Sequence, residues 1–303
     1  MVSCVDSKDS LRKAKTSKNL IFIQKGEIGH MVIPAKFSKR VHENLKKYQE
    51  IISNLKKKDS NEADTVRVVA GILECIFGYN RFTEVTSEYA IRGTYCDLAV
   101  IDSRKKIRIL IEVKAASSTL NESHVKQAVD YGANAGVNWV ILTNSDKWIL
   151  YKIKFGKPIS KEVVSEFDLL SLSSKSMKEL EVMYAISRDG QDKSVIDDYY
   201  MSKQAKSKFI IGALLFSEDM CVLIRKNMKK LYPDVKITDD EIADIMAHDI
   251  IKREILDSEE SKKARKDIEK AMKKMERAKN GSQAGEIVKP GETESKENEG
   301  TGE

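Results

Sequence analysis

Between Thr83 and Lys114 the hydrophobic pattern has a period of two residues. Three segments carry this pattern, TEVTSEYAI, YCDLAVI and KIRILIEVK, and the short stretches RGT and DSRKK separate them. Alternation of apolar and polar residues is typical of β-strands whose two faces differ. The pattern therefore predicts three consecutive strands, and strands joined by such short connections can pair as antiparallel hairpins.

Helical patterns flank these three strands. SKRVHENLKKYQEIISNLKKK predicts an amphipathic helix, and SNEADTVRVVAGILECIFGYN predicts a second helix that Ser60 or Asn61 caps and Gly78 ends. After the strands, NESHVKQAVDYGANAG predicts a helix that ends at Gly136, followed by the strands NWVILT and KWILYKI. This order predicts a compact α/β domain built on one sheet.

Changes in pattern divide the 303 residues into five predicted regions. These are a basic N-terminal segment with a helix (1–58), the α/β core (59–157), a mostly helical C-terminal region (158–257), a charged helix (258–280) and a disordered acidic tail (281–303). Within the first region, NLIFIQKGEIGHMVIPAKF predicts one or two short strands. In the helical region, Thr238 or Asp239 is the expected cap of a late helix.

Charge is unevenly distributed along the chain. The composition, 41% apolar and 33% charged, suits a soluble globular protein, and the formal net charge is +6. Residues 1–58 contain 14 Lys and Arg against 5 Asp and Glu, whereas the last 23 residues contain 6 Glu against 2 Lys. A basic front favours a polyanionic partner, and the alternative is a solvated charged surface.

The cysteines and the apolar segments indicate the expected compartment. Cys4, Cys75, Cys96 and Cys221 lie far apart in sequence and lack the spacing of a zinc site. Cys75 and Cys96 lie among apolar residues, as buried thiols do, which favours a reducing, cytoplasmic location. No stretch approaches the ~20 apolar residues of a membrane span.

Asp97, Glu112 and Lys114 interrupt two of the predicted strands. Charged groups are costly to bury unless they are paired or bind a metal. Because alternate residues of a strand share a face, Glu112 and Lys114 are neighbours about 7 Å apart, and antiparallel pairing places Asp97 beside Glu112. Two converging carboxylates suit a divalent cation, and a nearby lysine suits a phosphate, so the set predicts phosphodiester hydrolysis.

An E-x-K pair alone is common by chance. The alternative is an edge sheet whose polar face meets water, with Lys114 as a surface lysine paired to Glu112. Other candidate sites are weaker, since His30, His42, His124 and His248 are scattered and lack ligand spacing. Trp139 and Trp148 are read as core residues.

The motifs around the charged residues resemble the N-terminal nuclease domain of type I restriction enzyme R subunits, a RecB-like branch of the PD-(D/E)xK nuclease superfamily. The motifs are NEADTVRVVAGILECIFGY, CDLAV, ILIEVKA, QAVDYGANAGVNWVILTN and KWILYKI, which occur in the family's order and cover about residues 60–155. The resemblance implies a restriction-endonuclease-like core, a mixed β-sheet flanked by helices. It also implies a Mg²⁺- or Mn²⁺-dependent endonuclease of restriction, defence or DNA processing, of prokaryotic type.

The resemblance also implies roles for individual residues. Asp97 and Glu112 match the metal-binding acids, Lys114 matches the catalytic lysine, and Glu62 matches an additional acid near the metal. Gln127 and Tyr131 match the QxxxY motif, which is linked to DNA in the family. At a spacing of four they lie on one helix face, and the alternative for Tyr131 is helix-to-sheet packing.

This chain departs from the family pattern in three places. Cys96 replaces the proline before the first aspartate, and Ser145 replaces the glycine after Thr143-Asn144, a change expected to matter little. The sequence also contains no G-x-x-x-x-G-K-[ST], so the resemblance is to a stand-alone member without an ATP-driven motor.

Two other functional readings stay open at this stage. One is a catalytically weak or inactive module that binds nucleic acid or a partner, and the other is an RNA nuclease with the same site. The expected partners are DNA and either a second copy of the chain or other subunits of a restriction system, without a membrane. Nothing in the sequence separates DNA from RNA. Base contacts, which set sequence specificity, come from loops and helices that the sequence does not identify.

Overall fold

A six-stranded sheet forms the centre of the protein, which a computed structural model describes over residues 31–91, 93–102, 104–173 and 176–283. The strands lie side by side in chain order. They are β1 (Val85–Ile91), β2 (Thr94–Ile101), β3 (Ile107–Val113), β4 (Trp139–Thr143), β5 (Lys147–Lys154) and β6 (Ser160–Asp168). All neighbours are antiparallel except β3 and β4, which are parallel. The helix that connects β3 to β4 allows this parallel pairing, since parallel strands need a long crossover.

Helices cover both faces of the sheet. On one face, α1 (Ala35–Lys57), α2 (Glu62–Cys75), α4 (Met177–Ile186) and α6 (Val195–Ala205) contribute to one large apolar core. On the other face, α3 (Glu122–Ala135) packs on a second core and ends at Gly136 in the left-handed conformation. The predicted architecture, a mixed sheet flanked by helices and followed by a mostly helical region, is confirmed.

The strand β6 was not predicted. The pattern after Pro158 predicts helix, yet Ser160–Asp168 pairs along its length with β5. This strand lies at the edge of the described sheet, with a neighbouring strand on one side only. Its apolar residues Val164 and Phe167 are buried, and the same strand also carries charged residues. A strand at an edge buries few side chains, so its alternation is weak. The sheet therefore continues past the predicted boundary at residue 157.

The start of the described chain also differs from the prediction. In the stretch that predicts one or two short strands, α1 begins at Ala35, directly after Pro34. The residues of that stretch before Met31 lie outside the described residues, as does most of the predicted basic front. Proline suits this position because its missing N–H is not needed in the first turn.

Mostly short helices make up the C-terminal region, which agrees with its predicted helical character. The remaining helices are α5 (Arg188–Gln191), α7 (Lys208–Leu215), α8 (Glu218–Leu231), α9 (Asp239–Ile245), α10 (Arg253–Asp257) and α11 (Glu259–Gln283), with a π-helix at Met246–Ile250. Thr238 caps α9 through a capping box with Glu241. Cys221, Ile242 and Met246 form a small separate core.

Two further expectations concern the C-terminal tail and membrane-spanning helices. The predicted acidic tail lies outside the described residues except for 281–283, which end α11. Among the helices that the structure describes, none combines the length and apolar character that crossing a bilayer requires.

Candidate active site

The candidate site lies where β2 and β3 separate. The last backbone pair between them at this end joins Leu98 to Ile111. Beyond it, the backbone N–H of Val113 donates instead to Oδ2 of Asp97, at 2.7 Å. Continuing the register by one pair places Asp97 opposite Glu112, so the antiparallel pairing brings the two predicted acids to one place.

The other side of Asp97 is also unpaired. The ladder between β1 and β2 contains the pairs Ser87–Leu98 and Tyr89–Cys96 but omits the pair between them, Glu88 with Asp97. Glu88 has φ of +50°, a left-handed conformation that is rare for residues other than glycine. The backbone around Asp97 is thus irregular on both sides, as is common beside functional sites.

Lys114 lies between two of the predicted acids. Its Nζ is 2.6 Å from Oε1 of Glu112 and 3.6 Å from Oε2 of Glu62. The Glu112 side chain is 2% exposed and that of Lys114 is 12% exposed. Because both side chains are largely buried, the alternative of a polar sheet face that meets water, with Lys114 as a surface lysine, is wrong, although the Lys114–Glu112 pair that it includes is present.

The start of α2 is tied to the loop after β3, and this holds Glu62 at the site. Asn61 caps the helix by accepting from the N–H of Asp64. The hydroxyl of Thr65, a fully buried residue, accepts from the N–H of Ala116 at 3.1 Å. Glu62 in the first turn therefore faces Lys114, and its negative charge is favoured near a helix N-terminus.

The electrostatics of the site follow from burial and from the closeness of the acids. Burial first, and then the Asp97 carboxylate, raise the pKa of Glu112 to about 7, while Lys114 opposes the rise. Burial also raises the pKa of Asp97. The pKa of Lys114 is raised, because the charges of Glu112, Glu62 and Asp97 outweigh the opposing effect of burial. Lys114 therefore stays charged at neutral pH.

One carboxylate oxygen of Glu112 has the surroundings that suit a cation ligand. Its Oε2 is buried and has no hydrogen-bond partner in the described structure. A buried carboxylate oxygen is rarely left unsatisfied, and carboxylate oxygens are the ligands that Mg²⁺ prefers. No group of three or more His, Cys, Asp or Glu side chains within the described ranges is arranged to hold a metal. Binding of a cation by Asp97, Glu112 and Glu62 stays a prediction, and the Glu62 side chain contacts Lys114.

The predicted motif on α3 lies on one helix face. Nε2 of Gln127 donates to the hydroxyl of Tyr131 at 2.9 Å. Tyr131 is buried against the sheet, as the packing alternative expects, whereas Gln127 is exposed. Burial and the nearby Glu112 and Asp97 charges raise the pKa of Tyr131. Contact of these residues with nucleic acid stays a prediction.

Several supporting residues were missed by sequence reasoning. Asn144, which follows β4, donates from Nδ2 to the carbonyl of Ser118 and so holds the loop after β3. Ser145 has φ of +73°, so its replacement of glycine carries a backbone cost, contrary to the expectation that it matters little. The turn signal at Asn144 and Ser145 is visible in the sequence, but the loop that it supports is not.

The other candidate residues are placed as follows. Trp139 and Trp148 are buried in the core, as predicted. Cys75, Cys96 and Cys221 are free thiols, and burial raises the pKa of Cys96 to about 12. Of the three histidines that the structure describes, His42 lies on α1, His124 on α3 and His248 on the π-helix.

Known proteins resemble the sheet of this chain. A model of the family described as the type I restriction enzyme R protein N terminus matches residues 81–167, so the resemblance seen in the motifs is confirmed for that range. The match includes Asp97, Glu112 and Lys114, whereas Glu62 lies outside it. It relates the sheet to restriction enzymes and indicates a nuclease or restriction role.

One solved structure and the curated proteins complete the comparison. The structure of BpuSI, a type IIG restriction endonuclease, is similar over 68% of this chain and 29% of its own, with 16% sequence identity and a TM-score of 0.32. The chain therefore spans less than a third of that endonuclease. No match was found among curated proteins.

Proposed function

We propose that this protein is a metal-dependent endonuclease that hydrolyses DNA phosphodiester bonds. The observation that carries the proposal is the contact between Lys114 and the nearly fully buried Glu112, whose second oxygen has no partner. Burying a carboxylate in this way costs stability, so a role in the chemistry is the best reason for it. The similarity of residues 81–167 to restriction R proteins supports the same reaction class.

Each charged residue has a part in this proposal. Asp97 and Glu112 would hold Mg²⁺ or Mn²⁺, which would supply Lewis-acid stabilisation of charge on the phosphate. Lys114, charged and in contact with Glu112 and Glu62, would donate hydrogen bonds to a phosphate oxygen. Glu62 contacts Lys114 from the first turn of α2 and would hold its ammonium group in position.

The exposed side chain of Gln127 extends the site towards substrate. Tyr131 accepts a hydrogen bond from Gln127 and so orients its amide. An oriented exposed amide can donate to a phosphate or sugar oxygen, a contact that fixes the position of DNA without reading its sequence. Gln127 is therefore proposed as a DNA-binding residue and Tyr131 as the residue that positions it.

The test is cleavage of supercoiled plasmid with Mg²⁺ or Mn²⁺. Metal-dependent nicking by the wild type should fall at least about 100-fold in Glu112→Gln and in Lys114→Met. The matched control is the exposed pair of Lys208 and Glu254, 3.0 Å apart, whose variants Lys208→Met and Glu254→Gln should cleave as the wild type does. Cleavage that survives in both site variants would contradict the site assignment.

A second candidate function is a binding module that does not cleave. The specific observation in its favour is that Lys114 pairs with Glu112, and no three-acid metal cluster is formed in the residues that the structure describes. A binder should hold DNA without a divalent cation, whereas the proposed enzyme needs the cation for turnover. Binding without cleavage under every cation condition would favour the module, and parallel assays with RNA test the other substrate class.

A further inference from the structure

Three consecutive lysines, Lys56, Lys57 and Lys58, lie where α1 ends. Lys56 pairs with Asp146 in the turn between β4 and β5. Lys57 and Lys58 are exposed, and neither forms an ion pair within the described parts of the chain. Two positive charges in the loop between α1 and α2 are therefore free to contact another molecule.

The loop between α1 and α2 is fastened to the candidate site. Asp59, the residue after Lys58, accepts a hydrogen bond from the hydroxyl of Ser117, which lies three residues after Lys114 in the chain. Asp59 has φ of +48°, so the chain turns sharply there. Just past the loop, Glu62 contacts Lys114 itself. The loop that carries the free lysines is thus held beside the site by contacts on two of its residues and neighbours.

These contacts limit how far the free lysines lie from the proposed chemistry. Lys58 is four residues from Glu62, so their Cα atoms are at most about 14 Å apart. Successive phosphates of one strand are about 3.4 Å apart along the axis of a duplex. A strand whose cleaved phosphate lies beside Lys114 therefore has further phosphates within that distance, and a long lysine side chain can contact them.

The charge of the candidate site makes such contacts necessary. The site contains three acidic side chains and one lysine, and DNA carries a negative charge at every phosphate. A divalent cation would offset charge at the cleaved phosphate only. Like charges repel, so the phosphates on either side need cationic groups close to the site. Lys57 and Lys58 supply two of them.

We infer that Lys57 and Lys58 bind the DNA backbone phosphates that flank the cleaved one. The inference rests on the proposed function and names residues that hold the substrate on the α2 side of the site. Phosphate contacts carry no sequence information, so these lysines should act on DNA of any sequence. Exposed lysines are ordinary on a protein surface, so the fastening of their loop to the site, and not the exposure, carries the inference.

The chain contains a matched control pair. Lys229 and Lys230 are also consecutive, exposed and without an ion pair in the described residues, and they lie in the last turn of α8. This helix packs through Cys221 on the small separate core of the C-terminal region. Replacing either pair by glutamine removes the same charge from a helix end, where positive charge is favourable. Both double variants keep the core intact and should fold as the wild type does.

The experiment measures binding of a fluorescein-labelled DNA duplex by anisotropy at several KCl concentrations, with Ca²⁺ in place of Mg²⁺. The double variant Lys57→Gln and Lys58→Gln should bind about tenfold more weakly at a fixed salt concentration. The slope of log K against log [KCl] should also become shallower by about 2, close to one unit for each lost lysine. The double arginine variant should retain the binding, and the double glutamine variant of Lys229 and Lys230 should match the wild type.

Two results would overturn the inference. An unchanged slope in the variant of Lys57 and Lys58 would show that these lysines do not contact phosphates. An equal loss of binding in the variant of Lys229 and Lys230 would show that only the net charge of the protein matters. A second duplex of unrelated sequence should give the same slopes, and an effect confined to one sequence would also contradict a contact with phosphates.

Cleavage kinetics with Mg²⁺ separate this inference from the proposed function. Loss of a contact made equally to substrate and transition state raises KM, so the variant of Lys57 and Lys58 should raise KM more than it lowers kcat. Cleavage with wild-type KM in that variant would sink the role of the lysines and leave the nuclease standing. Absence of cleavage by the wild type, together with the shallower binding slope in the variant, would do the reverse.

Discussion

The two ends of the β2–β3 pair differ in what they contribute. Towards the turn, Leu98 and Val100 pair with Ile111 and Ile109 through the backbone, and all four side chains are buried in the core. At the other end the backbone pairing stops and charged side chains take its place. The end near the turn stabilises the fold. At the other end the backbone pairing stops, and carboxylates are removed from water. In the same two strands, the residues that stabilise the fold and those of the proposed chemistry are thus only a few positions apart.

The largest expected effect on this comparison is a large-to-small change at the apolar end. Ile109→Ala should lower the free energy of unfolding by about 2–5 kcal/mol, because it removes a side chain that is 1% exposed and leaves a cavity. Urea unfolding measures the change. The control Ile159→Ala removes a half-exposed isoleucine before β6 and should have a much smaller effect. Equal losses in the two variants would show that burial at the apolar end does not stabilise the fold more than an exposed position does.

Glu112→Gln should raise the free energy of unfolding, by an amount that depends on pH. The pKa of Glu112 is about 7 in the folded protein against an ordinary value of 4.5, so the folded state binds the proton more tightly. The wild type therefore loses stability as pH rises from 4.5 to about 7, by about 3 kcal/mol. The glutamine variant lacks this loss.

Unfolding of both proteins in urea at several pH values tests this prediction. The difference in unfolding free energy should grow in favour of Glu112→Gln between pH 4 and pH 8, although cleavage is lost. Parallel pH curves would show that Glu112 ionises as an exposed carboxyl does. A gain in stability with a loss of activity is the expected mark of a residue kept for function.

Lys114→Met should destabilise the protein at high pH and much less at low pH. At pH 8 the variant leaves the Glu112 carboxylate buried without its partner, which should cost about 1–3 kcal/mol. At pH 5 Glu112 is protonated and the loss should be small. The double variant with Glu112→Gln completes a cycle, and additive effects at pH 8 would contradict direct coupling between the two side chains.

Much of the fold could be predicted because most strands have a recognisable hydrophobic pattern in their own sequence. The strands β1 to β5 have their own alternation or continuous apolar run, and the side-chain period places Glu112 and Lys114 on one face. The strand β6 carries charge at Lys161, Glu162, Glu166 and Asp168, and only its pairing with β5 makes it a strand. Local pattern fails where tertiary contact decides the structure.

The candidate site shows the same division. Asp97, Glu112 and Lys114 follow from residue type and register. The hydrogen bond between Thr65 and Ala116 and the left-handed backbone of Glu88 could not be predicted, because neither a long-range hydrogen bond nor a positive φ is evident from residue type. Backbone strain at non-glycine residues is set by the surrounding structure.

The smallest expected effect comes from relieving that strain at each end of β2. Glu88 lies opposite Asp97 with φ of +50°, and Lys105 lies in the turn between β2 and β3 with φ of +62°. Glycine adopts this conformation freely, so Glu88→Gly and Lys105→Gly should each raise the unfolding free energy by about 1 kcal/mol. Thermal unfolding of both variants measures the gain.

Cleavage and binding then separate the two glycine variants. Glu88→Gly loosens the backbone beside Asp97 and should alter cleavage, whereas Lys105→Gly lies at the apolar end and should leave it unchanged. If neither variant changes cleavage, the left-handed backbone at Glu88 belongs to the fold and not to the site. If both change it, the two ends of β2 are coupled, and the division between a stabilising end and a functional end would not hold.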